Sequence, residues 1–225
     1  MTQITDHLAQ IIERVARSAE RAHRSPSSVT IVAIGKQKPA TSIAEAHRGG
    51  LVHFGESYVQ EALPKIAELA GLPLTWHYVG KLQTNKTRQV AETFDWVHTV
   101  DRIKIAERLD EQRKPLAAPL HVLIQVNQGR EEQKAGALPE DVAALARAIA
   151  KLPRLKLRGL MTLPPQSGTP AHWFGKLAAL RDELESTGLA LDCLSMGMSG
   201  DFEEAIAAGA THLRIGTALF GSRSG

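Results

Sequence analysis

The sequence contains one cysteine, Cys193, in 225 residues. An intrachain disulfide is therefore excluded, which fits a reducing compartment. Aromatic residues make up 4% of the chain, so few side chains could stack on the bases of single-stranded nucleic acid. No apolar run reaches the ~18–20 residues of a membrane-spanning helix, and residues 1–24 lack the apolar core of a signal peptide. We therefore expect a cytoplasmic protein with no membrane partner.

Motifs of several site classes are also absent. The nine histidines are scattered without HExxH or paired Cys/His spacing, so we expect no metal site. Neither a GxSxG elbow nor a P-loop occurs. Arg14, Arg17, Arg21 and Arg24 form a basic stripe at helical spacing. Such stripes are usually solvated faces, and with a net charge of only +3 we expect no nucleic-acid partner.

What the chain does contain is an alternation of short β-rich runs with amphipathic helical runs. Residues 1–24 predict an N-terminal helix, with Ile4, Leu8 and Ile11 at helical spacing. The strand predictions are VTIVAIG, LVHFGE, LTWHYVG, DWVHTV, LHVLIQVN, LKLRGLMTL, LDCLSMGM and THLRIGTALF. Seven helical runs separate these strands, which indicates an α/β fold with a parallel sheet. We predict one domain over residues 1–225, a (β/α)8 TIM barrel preceded by a helix. A doubly wound open sheet is the alternative.

In either architecture, ligands bind where the strands end. The first predicted strand runs into Gly35 and Lys36. A lone lysine at such a point most often extends its amine into solvent. The functional interpretation is an amine nucleophile, because burial lowers the pKa of a lysine enough for it to form a Schiff base with a carbonyl. Lys38 is the competing amine, but it directly precedes Pro39, and we expect it to reach solvent.

The eighth strand predicts an inward-facing cation. His212, Arg214 and Gly216 share one face by strand alternation, so Arg214 should point into the barrel mouth. A guanidinium stays protonated and is costly to bury without a partner. Two partners are open at this point: Glu56, through a salt bridge, and an acceptor group on a ligand.

Two glycine-bearing turns follow the last two strands. The segment MGMSGDFEEAI supplies Ser199 and Gly200, and IGTALFG supplies Gly216 and Thr217 before another predicted helix start. Glycine lets a backbone approach an anion closely, and helix N-termini present unpaired N–H groups. Barrel enzymes often bind phosphate at this place. The alternative is ordinary helix capping by Ser199, with acidic residues in the first turn.

Five sequence blocks, taken together, resemble one known family. They are VAIGKQKP, HFGESYVQE, WHYVGKLQTNK, RGLMTLPP and LSMGMSGDFEEAIAAGATHLRIGTALFG. The chain resembles the pyridoxal 5′-phosphate (PLP) homeostasis protein family over essentially its whole length. That family has the barrel of alanine racemase, fold type III of the PLP proteins. The resemblance implies that Lys36 holds PLP as a Schiff base and that Arg214 faces the pyridine nitrogen. The phosphate-binding residues that it implies are Ser199, Gly200, Gly216 and Thr217.

The resemblance implies a carrier function. Such a protein buffers PLP or delivers it to PLP-dependent apoenzymes without catalytic turnover. A permanently charged arginine keeps the ring nitrogen unprotonated, which weakens the cofactor as an electron sink. The alternative is an amino-acid racemase, which needs a base on each face of the α-carbon. Alanine-racemase-like enzymes take one base from an additional β domain, which we expect this chain to lack, so a monomer is favoured.

Three positions depart from the pattern of the family. Gly35 stands where serine usually precedes the lysine, and Ser57 stands where asparagine usually follows FGE. Lys81 stands in a block that commonly reads GHLQ. We expect the first two changes to remove polar groups from the pocket rim and Lys81 to add a second amine near it.

Overall fold

The computed structural model describes residues 3–221. Its strands are β1 Thr30–Ile34, β2 His53–Glu56, β3 Thr75–Tyr78, β4 Trp96–Val100, β5 Leu120–Val126, β6 Leu155–Thr162, β7 Cys193–Ser195 and β8 His212–Ile215. All pair in parallel with their neighbours in chain order, and β8 returns to β1. The predicted (β/α)8 barrel is therefore confirmed, and the open-sheet alternative is wrong.

Helices cover the outside of the barrel. They are α1 Gln3–Arg21, α2 Ala40–Arg48, α3 Val59–Glu68, α4 Thr87–Thr93, α5 Ile103–Gln112, α6 Val142–Ile149, α7 Pro170–Ser186, α8 Phe202–Ala207 and α9 Thr217–Phe220. The N-terminal helix α1 buries Leu8, Ile11 and Val15 and packs on α2, α8 and α9. Between residues 3 and 221, no helix combines the length and apolar character needed to cross a membrane.

The strands are buried on both faces, as parallel strands under helices must be. All five residues of β4 are buried, and Phe54 of β2 and Leu213 of β8 are fully buried. One close approach requires a glycine. Gly159 of β6 has a φ of 153°, and a Cβ there would lie 1.8 Å from the carbonyl oxygen of Cys193. Strands β6 and β7 therefore lie against each other at a point where no side chain fits.

Candidate functional site

A cavity of about 420 Å³ opens where the strands end. All six site residues predicted from the sequence line it, namely Lys36, Ser199, Gly200, Arg214, Gly216 and Thr217. They follow β1, β7 and β8, or belong to β8, so the closure of the barrel is what brings them together. The volume is within the range of small-molecule sites, roughly 300–1,000 Å³.

The turn that carries Lys36 is held in place by its neighbours. Lys36 is half-buried, two residues beyond β1. On one side of it, the Gly35 N–H donates to the Gly55 carbonyl oxygen at 2.9 Å. On the other, Gln37 has a left-handed φ of 61°, and its N–H donates to the carboxylate of Glu61. Such a conformation costs about 1 kcal/mol or more outside glycine, so these bonds are needed to maintain the turn.

A buried lysine lies beneath this turn. Lys65 Nζ, on α3, donates to the Gly35 carbonyl oxygen at 2.8 Å, to Glu56 Oε1 at 2.9 Å and to Glu61 Oε1 at 2.7 Å. All three ammonium protons therefore have an acceptor. Burial raises the pKa of Glu56 to about 7, although Lys65 opposes that shift. Within residues 3–221, Glu56 Oε2 has no hydrogen-bond partner. The lysine thus links α3 to the backbone that precedes Lys36.

The prediction that Lys38 reaches solvent is wrong. Lys38 lines the same cavity as Lys36, and its Nζ donates to the Phe220 carbonyl oxygen at 3.0 Å. The contact joins the turn after β1 to the end of α9. A second amine therefore forms part of the cavity wall.

Arg214 points into the barrel, as strand alternation predicted. Its guanidinium donates to Ser195 Oγ at 2.7 Å and to the Thr162 carbonyl oxygen at 2.8 Å. Glu56 pairs with Lys65 instead, so the predicted salt-bridge alternative is wrong. Burial lowers the pKa of Arg214 to about 10, which still leaves it charged at neutral pH. A buried cation with two neutral acceptors retains N–H groups for an acceptor inside the cavity.

The loops after β7 and β8 offer backbone donors. In the part of the chain that the structure describes, no acceptor pairs with the backbone N–H groups of Ser199, Gly200, Gly216 and Thr217. The alternative interpretation, in which Ser199 caps α8, is wrong. The Ser199 Oγ instead accepts from the Ala218 N–H at 3.2 Å, which ties the two loops together. The unpaired N–H groups suit an anion such as phosphate.

Two arginines of the basic stripe, both on α1, pair with acidic groups of the protein. Arg14 pairs with Glu203 of α8 at 3.2 Å, and Arg17 pairs with Glu13 at 3.5 Å. The ion pair with Arg14 also engages Glu203, one of the acidic residues that follow the Ser199 loop. The expectation that the stripe binds no nucleic acid stays a prediction.

Sequence reasoning missed the apolar part of the cavity wall, which consists of Ile34, Val79, Met161, Leu163 and Met198. The signal that could have identified several of them is their position at or just beyond a strand end. Ser57, expected at the rim, does line the cavity. Lys81 instead lines a neighbouring cavity of about 460 Å³, which shares Ser57 with the first.

The chain is similar to known proteins over nearly its whole length. The family profile described as "Alanine racemase, N-terminal domain" matches residues 7–224. The "Pyridoxal phosphate homeostasis protein" of Pseudomonas aeruginosa is 52% identical over 223 residues, covering 99% of this chain and 97% of the relative. Its counterpart in Escherichia coli K12 is 46% identical over 229 residues, covering 99% and 98%.

Solved structures show the same fold. PipY of Synechococcus elongatus PCC7942, with PLP bound, matches with a TM-score of 0.84 and 40% identity, covering 97% of this chain and 100% of that one. Alanine racemase of Clostridium difficile 630 matches with a TM-score of 0.73 at 15% identity, covering 98% of this chain and 58% of the racemase. The second match is a likeness of fold alone.

Proposed function

Because this chain belongs to the pyridoxal phosphate homeostasis protein family, we propose that its cavity binds PLP and that the protein buffers or delivers this cofactor. The family match extends over residues 7–224, and the Pseudomonas aeruginosa relative is 52% identical. The PLP-bound PipY structure, at 40% identity, supports the same ligand. The recipients are PLP-dependent apoenzymes.

The observation that carries this proposal is the donor set of one cavity. PLP combines an aldehyde, a pyridine nitrogen and a phosphate. The cavity wall combines the amine of Lys36, the guanidinium of Arg214 and the Ser199–Gly200 and Gly216–Thr217 loops with their unpaired N–H groups. Each part of the cofactor therefore has a chemically matched group in the wall.

Each group has a separate role. Lys36 would hold the aldehyde of PLP as a Schiff base, formed with loss of water. Arg214 would donate a hydrogen bond to the pyridine nitrogen without giving up its proton, which would keep that nitrogen unprotonated. PLP supplies an electron sink when bound, and this arrangement weakens that sink. A weakened sink suits a carrier that must not react with amino acids.

The second candidate function is amino-acid racemisation, and one observation favours it. Lys38 places another amine in the wall of the cavity that contains Lys36, and a racemase needs two bases. Against it, the Lys38 amine donates to the Phe220 carbonyl oxygen. The carrier function therefore remains our proposal.

A PLP titration of wild type, Lys36→Ala and Lys81→Ala tests this assignment. We expect wild type and Lys81→Ala to develop the visible absorbance of an imine, and Lys36→Ala to lose it. Borohydride reduction followed by mass spectrometry should place the cofactor on Lys36. No imine absorbance in wild type, or a reducible adduct that survives in Lys36→Ala, would contradict the assignment. Racemisation above that of free PLP, and lost in Lys36→Ala, would establish the second candidate.

We further propose that residues 1–225 form one domain and act as a cytoplasmic monomer. A free, buried thiol at Cys193 is consistent with a reducing compartment. Light scattering on the purified protein, with and without PLP, measures the oligomeric state.

A further inference from the structure

Buried polar side chains continue from Arg214 through the interior of the barrel. Ser195 Oγ, which accepts from Arg214, lies 2.8 Å from His98 Nδ1. His98 Nε2 lies 2.9 Å from His77 Nδ1, and His77 Nε2 lies 2.9 Å from His53 Nδ1. We call Ser195, His98, His77 and His53 the histidine chain.

The histidine chain crosses the barrel from the cavity towards the opposite end. Its members belong to β7, β4, β3 and β2, and His53 is the first residue of β2. Ser195, His98 and His77 are fully buried, while His53 is half-buried. The described residues contain no cluster of histidine, cysteine and acidic groups that could hold a metal ion. The rings therefore serve one another as donors and acceptors.

The hydrogen bond from Arg214 determines the direction of the whole chain. Since the guanidinium can only donate, Ser195 Oγ accepts from it. The serine proton then needs an acceptor, and among residues 3–221 His98 Nδ1 is the one that bonds to Ser195 Oγ. His98 must therefore carry its own proton on Nε2 and donate it to His77. By the same reasoning, His77 and His53 each accept at Nδ1 and carry their proton on Nε2.

All three rings are neutral in this arrangement. Burial lowers the pKa of His77 and His98 well below 6.5 and also lowers that of His53. Neutrality is also required by geometry, since a protonated ring would place two donors face to face inside the chain. Each neutral ring then directs its acceptor nitrogen towards Arg214 and its donor away from it.

We propose that the histidine chain is a positioning device that fixes and stabilises the charged Arg214 in place of a carboxylate partner. The inference rests on the proposed function, because it concerns the residue assigned to the pyridine nitrogen. A carboxylate would engage two guanidinium N–H groups at once and neutralise the charge. A row of aligned neutral dipoles uses one N–H group. With a second N–H group engaged by the Thr162 carbonyl oxygen, the charge and the remaining donors stay available to the cofactor.

The first test needs no cofactor. Long-range ¹H–¹⁵N correlation spectra of the histidine-labelled, PLP-free protein report which ring nitrogen carries the proton. We expect His53, His77 and His98 to be Nε2–H tautomers near pH 7. An Nδ1–H tautomer at His77 or His98 would overturn the proposal, whether or not the protein binds PLP.

The second test breaks the chain at one ring. His98→Leu removes the acceptor of Ser195, and we expect the Kd for PLP to rise about tenfold, the effect of leaving one buried hydroxyl donor without a partner. The imine absorbance band should also shift. His98→Asn places an amide oxygen near the position of Nδ1 and should keep most of the affinity. Ser195→Ala, which removes the hydroxyl itself, provides a second break if His98→Leu does not fold.

The matched control is His212→Met. His212 is buried in the same part of the barrel, but its Nδ1 bonds to Thr211 Oγ1, outside the chain. We expect this variant to bind PLP like wild type. Wild-type affinity and absorbance in both His98→Leu and Ser195→Ala would overturn the proposal, as would an equal loss in His212→Met. A wild type that fails to bind PLP would instead refute the proposed function, while the tautomer pattern would stand.

Discussion

Replacing one buried histidine should make the protein less sensitive to acid. His212 is 7% exposed, and its ring centroid lies 5.0 Å from that of Trp96. Burial, reinforced by the neighbouring His53 and Arg158, lowers its pKa from 6.5 to about 4. Methionine has a similar volume, adapts to irregular core space and cannot take up a proton. We predict that His212→Met loses less stability than wild type when the pH falls from 7.5 to 5.0.

The sign and size of the effect follow from proton linkage. In the unfolded chain His212 protonates with a pKa of 6.5, whereas in the folded protein it stays neutral until about pH 4. Between these values the unfolded state binds more protons, so the free energy of unfolding falls as the pH falls. At pH 5.0 the loss is about RT ln(1 + 10^1.5), or ~2 kcal/mol, and at pH 7.5 it is near zero. That is a large fraction of a typical stability of about 5–15 kcal/mol.

Urea denaturation at the two pH values measures the difference. Wild type should lose ~2 kcal/mol more than His212→Met on going to pH 5.0. The raised pKa of Glu56, about 7, acts in the opposite direction, because protonation then favours the folded state. Glu56 is present in both proteins, so its contribution cancels in the comparison. The control is Leu123→Met, a substitution in the same buried cluster as Trp96, which should behave like wild type. Equal losses in wild type and His212→Met would refute the reasoning.

Three further predictions concern the turn, the barrel and the thiol. Lys65→Met should cost about 3–5 kcal/mol in urea denaturation, because it leaves the carboxylates of Glu56 and Glu61 without their shared cation. A loss below ~1 kcal/mol would contradict this. Gly159→Ala should sharply reduce soluble yield and Tm, since its Cβ would lie 1.8 Å from the Cys193 carbonyl oxygen, and a wild-type Tm would disprove that contact. Burial raises the pKa of the Cys193 thiol to about 12, so a thiol reagent at pH 8 should label it only in denaturant.

The fold was largely predictable because each strand is a short apolar run between helical segments. The exact ends of the strands were not. The segment LDCLSMGM predicts a longer seventh strand than the observed Cys193–Ser195. Gly197, at a φ of 91°, turns the chain away from the sheet soon after Ser195. Where a strand ends depends on such a turn, and a glycine alone does not reveal the sign of its φ.

The site was predictable in part for the same reason. Lys36 and Thr217 follow strand ends, and closure of the barrel brings such ends together. The hydrogen-bond partners were not predictable. Glu56 bonds to Lys65, and Lys38 to the Phe220 carbonyl oxygen, because of how helices α3 and α9 lie on the barrel. Those contacts depend on the packing of helices against strands, which no local pattern encodes.

The histidines show how a polar barrel interior can escape notice in a sequence. The sequence spacing of His77 and His98 matches no metal-binding motif, because each residue lies at an inward position of a different strand. Inward positions of successive strands meet in layers inside a barrel, and in this barrel the rings meet edge to edge instead of converging on one point. In our proposal, Arg214, which can only donate, imposes the polarity of the histidine chain through Ser195. On this proposal, a permanent charge in the cavity wall is stabilised by neutral groups, which successive strands place side by side inside the barrel.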